Sequence, residues 1–118
     1  MIMADNFLDD KNEKEKFKTP TQHVILGKYY LIKNELDKAI EEYAKAVQMD
    51  PNYLKAHFNL AEACFAKATE QPQLSPREKK KMLILASTHY HKIATLSPES
   101  QLAVKAMIRL KDLQEKLK

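Results

Sequence analysis

Apolar residues recur along this chain with a helical period rather than an alternating one. His23, Leu26, Gly27 and Tyr30 fall at i, i+3, i+4 and i+7, one stripe of a helix predicted over 20–33. Thr19 can cap that helix, and Pro20 suits its first turn. Asn34 ends it, because Asn tolerates the left-handed conformation of a tight turn. Leu36, Ala39, Ile40, Tyr43, Ala46 and Val47 mark a second helix over 36–49, with Glu41 and Lys45 as a favourable pair on its opposite face. Asp50-Pro51 stops it, since the residue before proline avoids the helical region. A third helix, over 53–69, carries His57, Leu60, Ala61 and Cys64. Ser75-Pro76-Arg77-Glu78 reads as a capping box that opens a fourth over 76–96, stopped by Pro98. Ser100 caps a fifth over 101–117, with Leu102, Val104, Met107, Ile108, Leu110, Leu113 and Leu117 apolar. The short link between the first two helices forces an antiparallel hairpin. Gly27 costs its helix about 1 kcal/mol relative to Ala; a close helix–helix approach there would explain it.

The stripes repeat. His23-x-x-Leu26-Gly27-x-x-Tyr30 returns as His57-x-x-Leu60-Ala61-x-x-Cys64, 34 residues on. Ala39-x-x-x-Tyr43 with Pro51 returns as Ala86-x-x-x-Tyr90 with Pro98, 47 residues on. The difference places a 13-residue insertion between Cys64 and Ala86. One such unit cannot bury its apolar face alone and must stack on a copy.

Composition agrees with an all-helical chain. Among 118 residues there is one Gly and no Trp, with 44% hydrophobic and 31% charged, too little Gly for many tight strand turns. Residues 1–18 hold few large apolar side chains beyond Phe7, Leu8 and Phe17, so a flexible or weakly helical tail is predicted before a single domain over 19–118. A single Cys rules out an internal disulfide framework. The longest apolar run, Met82-Leu83-Ile84-Leu85-Ala86, is far short of a membrane span. No secretory signal is visible at the start, and a cytoplasmic location is expected. Charge is uneven. Residues 1–53 carry 8 Lys and 10 acids, whereas 77–118 carry 10 Lys/Arg and 4 acids. A basic half can attract acidic proteins, nucleic acid or anionic lipid; it can equally be a solvated helix surface.

The repeated residues closely resemble the tetratricopeptide repeat, a 34-residue helix–turn–helix unit. With Pro20 as its first position, the family's preferred residue types stand at Leu26, Gly27, Tyr30, Ala39, Tyr43, Ala46 and Pro51; His23 departs, where an aromatic is usual. In the second copy Leu60, Ala61, Ala86, Tyr90 and Pro98 match, while His57, Cys64 and Ile93 depart. The resemblance implies a right-handed superhelical stack of antiparallel hairpins: repeat 1 over 20–53, repeat 2 over 54–100 with the insertion, and a capping helix over 101–117. It also implies a concave groove, lined by the first helix of each pair, that takes a partner peptide or helix. The groove positions are Thr21, Val24, Lys28 and Leu31, then Lys55, Phe58, Glu62 and Phe65, with Asn59 beside them, and Leu102, Lys105 and Arg109 on the fifth helix. Val24, Leu31, Phe58 and Phe65 form an apolar strip rimmed by Lys and Arg, suited to an acidic or amphipathic segment. The carboxylate clamp by which some members grip chaperone tails has only Asn59 in place.

The insertion is expected to project a hairpin over 68–81 beyond the rest of the stack, with Arg77, Lys79, Lys80 and Lys81 at its tip. No aromatic residue interleaves with those cations, which argues against nucleic acid. Two repeats are fewer than the three usually needed for stability, so stacking on a second copy is an alternative expectation. No nucleophile–base motif or Gly-rich phosphate loop is present, so no enzymatic activity, cofactor or metal is expected. His89 and His91 would point about 200° apart on a helix. His23, His57 and Cys64 lie on the packing stripes and read as buried filler.

Overall fold

The computed structural model describes residues 18–118. They form five α-helices: α1 (Pro20–Ile32), α2 (Leu36–Met49), α3 (Leu54–Glu70), α4 (Pro76–Leu96) and α5 (Gln101–Leu117), with no strand among the described residues. The tail predicted at the amino terminus lies, apart from Lys18, outside the described residues.

The helix ends follow from local chemistry. The Thr19 hydroxyl accepts from the Gln22 amide, and the Gln22 side chain accepts in turn from the Thr19 amide, so the full capping box stands at α1. At α4 only half of the expected box forms: Ser75 Oγ accepts from the Glu78 amide, with no return bond from Glu78. Ser100 caps α5 through the Ala103 amide. Asn34 takes φ 61° in the turn between α1 and α2, the left-handed conformation that an Asn accepts at modest cost. The Glu41–Lys45 pair does not form. Lys45 Nζ lies 3.3 Å from Glu42 instead, because Glu42 is buried against α1 while Glu41 is exposed.

Each helix packs on its neighbour in sequence, and α3 also touches α1 and α5. The molecule measures 49 × 36 × 20 Å. The last dimension is about two helix diameters, so α1, α3 and α5 make one layer and α2 and α4 the other. This is an all-α helical-repeat stack. Small residues let the layers meet: Ala39, Ala46, Ala56, Ala61, Ala86, Ala103 and Ala106 are fully buried. The tightest contact is at Gly27. A Cβ placed there would stand 2.5 Å from Tyr43 Cε1 and 2.7 Å from Cδ1, closer than non-bonded atoms pack.

The insertion lengthens the second hairpin: α4 has 21 residues against 14 in α2, and α3 has 17 against 13 in α1. The extended end is not bare. The last turn of α5 runs beside it, with Lys116 and Leu117 flanking Pro76, Lys79 and Leu83. The hairpin over 68–81 therefore extends past the first hairpin in company with α5, not alone.

Candidate binding groove

The layer of α1, α3 and α5 carries a cleft between α3 and α5. Phe58 and Glu62, one turn apart on α3, face Lys105, Ile108 and Arg109 on α5 across about 330 Å³. Burial holds the walls in place. The Phe58 ring is half-buried and meets the Tyr90 ring of α4 edge-on at 6.0 Å, a favoured aromatic geometry. The Arg109 guanidinium sits 5.3 Å over the Phe65 ring and grips Glu62 with two nitrogens, Nε at 2.8 Å and Nη2 at 3.3 Å. The Tyr90 hydroxyl donates to the same carboxylate. Glu62 thus ties α3, α4 and α5 together at one point. Burial, then the bond to Glu62, push the Tyr90 hydroxyl far above its ordinary pKa. The Glu62 bond likewise raises Arg109, against a smaller opposing effect of burial.

Several expected groove residues meet here and others do not. Phe58, Glu62, Lys105 and Arg109 line the cleft, and Phe65 supports it through Arg109. Arg109 is neutralised by Glu62, so it is not a free cation. Lys28, Lys55 and Lys105 are exposed and make no ion pair among the described residues. Asn59 is half-buried and Leu31 is 39% exposed. Val24 is the correction: it is 4% exposed and belongs to the core, so the apolar strip lacks its first member. Ile108 also lines the cleft, although it stands outside the expected groove positions. Arg77, Lys79, Lys80 and Lys81 are all exposed. Lys116 of α5 and Lys118 just beyond it join Lys79 and Lys80 around a second cleft of about 280 Å³.

The two packing-stripe histidines are not filler. His23 Nδ1 donates to Glu42 at 2.7 Å, an inter-helix contact that accounts for a buried acid on α2. His57 Nε2 lies 2.7 Å from the Pro51 carbonyl, which only accepts, so that nitrogen carries the proton. In the neutral ring its Nδ1 is then an acceptor, to which His89 Nδ1–H donates at 2.9 Å. The chain Pro51–His57–His89 links the second interhelix turn to α3 and α4. Burial, then the neighbouring His57, push His89 down to about 4. His91 is exposed, and no group of three His, Cys, Asp or Glu among the described residues is arranged to hold a metal. Burial pushes the Cys64 thiol up to about 11, against a smaller pull from Lys67, so it stays protonated and unreactive. No described helix is long and apolar enough to cross a membrane.

Residues 27–67 match the family model described as TPR repeat. No curated protein matches the chain.

Proposed function

We propose that this chain, which belongs to the tetratricopeptide-repeat family, is an adaptor that binds a partner peptide or helix along the layer of α1, α3 and α5. Repeats of this family are in general protein–protein interaction modules rather than enzymes. The observation that carries the specific reading is the cleft of Phe58, Glu62, Lys105, Ile108 and Arg109. It offers an apolar wall beside an exposed lysine, held rigid by the Glu62–Arg109–Tyr90 contacts. Pre-ordered walls lose little entropy on binding. Lys28 and Lys55 on the same layer are open cations, so the partner segment is acidic or amphipathic.

The test is affinity purification with the wild-type chain and with Phe58→Ala/Phe65→Ala, each checked for helical content. Loss of the captured partners from the folded variant supports the groove. Capture of the same partners by both overturns it.

A second reading has its own observation. Lys79, Lys80, Lys116 and Lys118 surround one cleft, so the basic end can meet an anionic surface, of nucleic acid or lipid. Such binding weakens steeply with salt. No binding to single-stranded DNA or anionic vesicles at low salt would discard it.

A further inference from the structure

The fifth helix stands in the same register as the first helices of the two hairpins. His23 corresponds to His57, 34 residues on, and His57 to Val104, 47 further on. In α1 and α3 the stripe begun by these residues faces the second helix of its own hairpin. His23 holds Glu42, Gly27 meets the Tyr43 ring, and His57 bonds His89. In α5 the equivalent stripe is Val104, Met107, Ile108 and Lys111. Its three apolar members are 56%, 59% and 62% exposed. The opposite face of α5, Ala103, Ala106, Leu110 and Leu113, is the buried one, and α4 is the neighbour it packs on. α5 is thus built as the first helix of a third hairpin, and no element among the described residues covers its stripe.

We propose that this stripe takes an amphipathic helix with an acidic rim from a partner protein, docked where the second helix of a hairpin stands. Charge selects the occupant. The stripe runs into Lys111 and is flanked by Lys105; over 101–118, with Arg109 held by Glu62 and Lys118 by Glu115, Lys105, Lys111 and Lys116 stand against Asp112. A second copy is a poor match. α5 against α5 would set these lysines against their own kind, and α1 carries no acid while exposing Lys28. Shape narrows the occupant further. Where α1 has Gly27, α5 has Ile108, and the Tyr43 ring leaves no room even for a Cβ at that place. The docking helix therefore presents Ala or Gly, not an aromatic, opposite Ile108. This surface is separate from the groove: Ile108 borders both, but Val104 and Met107 do not line the cleft.

The probe is a synthetic peptide of residues 35–50 carrying Tyr43→Ala, an acidic amphipathic helix already shaped to dock on such a stripe. Fluorescence anisotropy follows its binding to the full chain. Saturable binding is expected, with affinity reduced at least about tenfold by Met107→Glu and unchanged by Phe58→Ala. The same peptide with Glu41→Lys and Glu42→Lys should also bind at least about tenfold more weakly. Met107 is exposed, so Met107→Glu leaves the fold intact. No binding at about 1 mM peptide overturns the proposal. So does binding that survives Met107→Glu but is lost in Phe58→Ala, which would put the peptide in the groove. Self-association of the chain abolished by Met107→Glu would give the stripe to a second copy and overturn it equally.

Discussion

Gly27 and Tyr43 form the contact on which the first hairpin closes, and they make opposite demands. Gly27 has no freedom to grow, because a Cβ would meet three ring atoms within 2.9 Å and Tyr43 is fully buried. Gly27→Ala gains about 1 kcal/mol of helix propensity but overpacks the contact by about 1–3 kcal/mol or more. A net loss of stability is expected in urea unfolding, largely recovered when Tyr43→Leu is added. If Gly27→Ala alone is stabilising, the close approach is misplaced. The Tyr43 hydroxyl is the reverse case. It is buried with no hydrogen-bond partner among the described residues, and burial pushes its pKa up to about 12. An unsatisfied hydroxyl costs about 1–3 kcal/mol, so Tyr43→Phe should leave stability unchanged or raise it, with the melting temperature as the readout. The glycine's purpose was legible in the sequence, since only a close approach explains Gly inside a helix. The unsatisfied hydroxyl was not, because whether a buried polar atom finds a partner depends on the angle at which helices cross.

At the scale of the elements, helix extent was legible and helix-to-helix pairing was not. Thr19, Asn34, Pro51, Ser75, Pro98 and Ser100 act through their own backbone neighbours, so the five helices end within a residue of where these signals put them. The polar contacts between helices join residues 19, 32, 28 and 47 apart, separations that no local rule reaches. The sequence pattern therefore passed over the His23–Glu42 contact, the Glu62 junction and the burial of Val24. The His57–His89 link has a pH consequence. His89 falls to about 4 from an ordinary value of 6.5 in the folded chain. Between those values the unfolded chain binds more protons, so stability is full above pH 6.5 and falls as pH drops toward 4. The loss is on the order of 2 kcal/mol, allowing for the ring's partial exposure. Urea midpoints from pH 7 to 4 should show the decline, and His89→Gln should flatten it. A decline of equal size in His89→Gln would assign it to other groups.

The whole molecule is a short array in which each layer is stabilised by its neighbours, so the end helix bears on the middle one. α3 touches all four other helices, which couples the two hairpins and α5 into one cooperative unit. Removing 101–118 would uncover the face of α4 that Ala103, Ala106, Leu110 and Leu113 bury, and would leave Glu62 without Arg109. Each lost leucine contact is worth about 1.5–3 kcal/mol, against a total of about 5–15 kcal/mol for a domain. The shortened chain should therefore lose its single unfolding transition or unfold at markedly lower urea, as followed by circular dichroism. Arg109→Ala separates the two causes, because it keeps the apolar face covered and removes only the clamp. Its expected cost is smaller, about 1–3 kcal/mol for a charge-assisted bond pair at a part-exposed site. If Arg109→Ala unfolds the chain as fully as the deletion, the Glu62 junction rather than apolar burial holds the end of the array. In that case the cleft and the stack share one support, and no substitution in the clamp could test binding apart from folding.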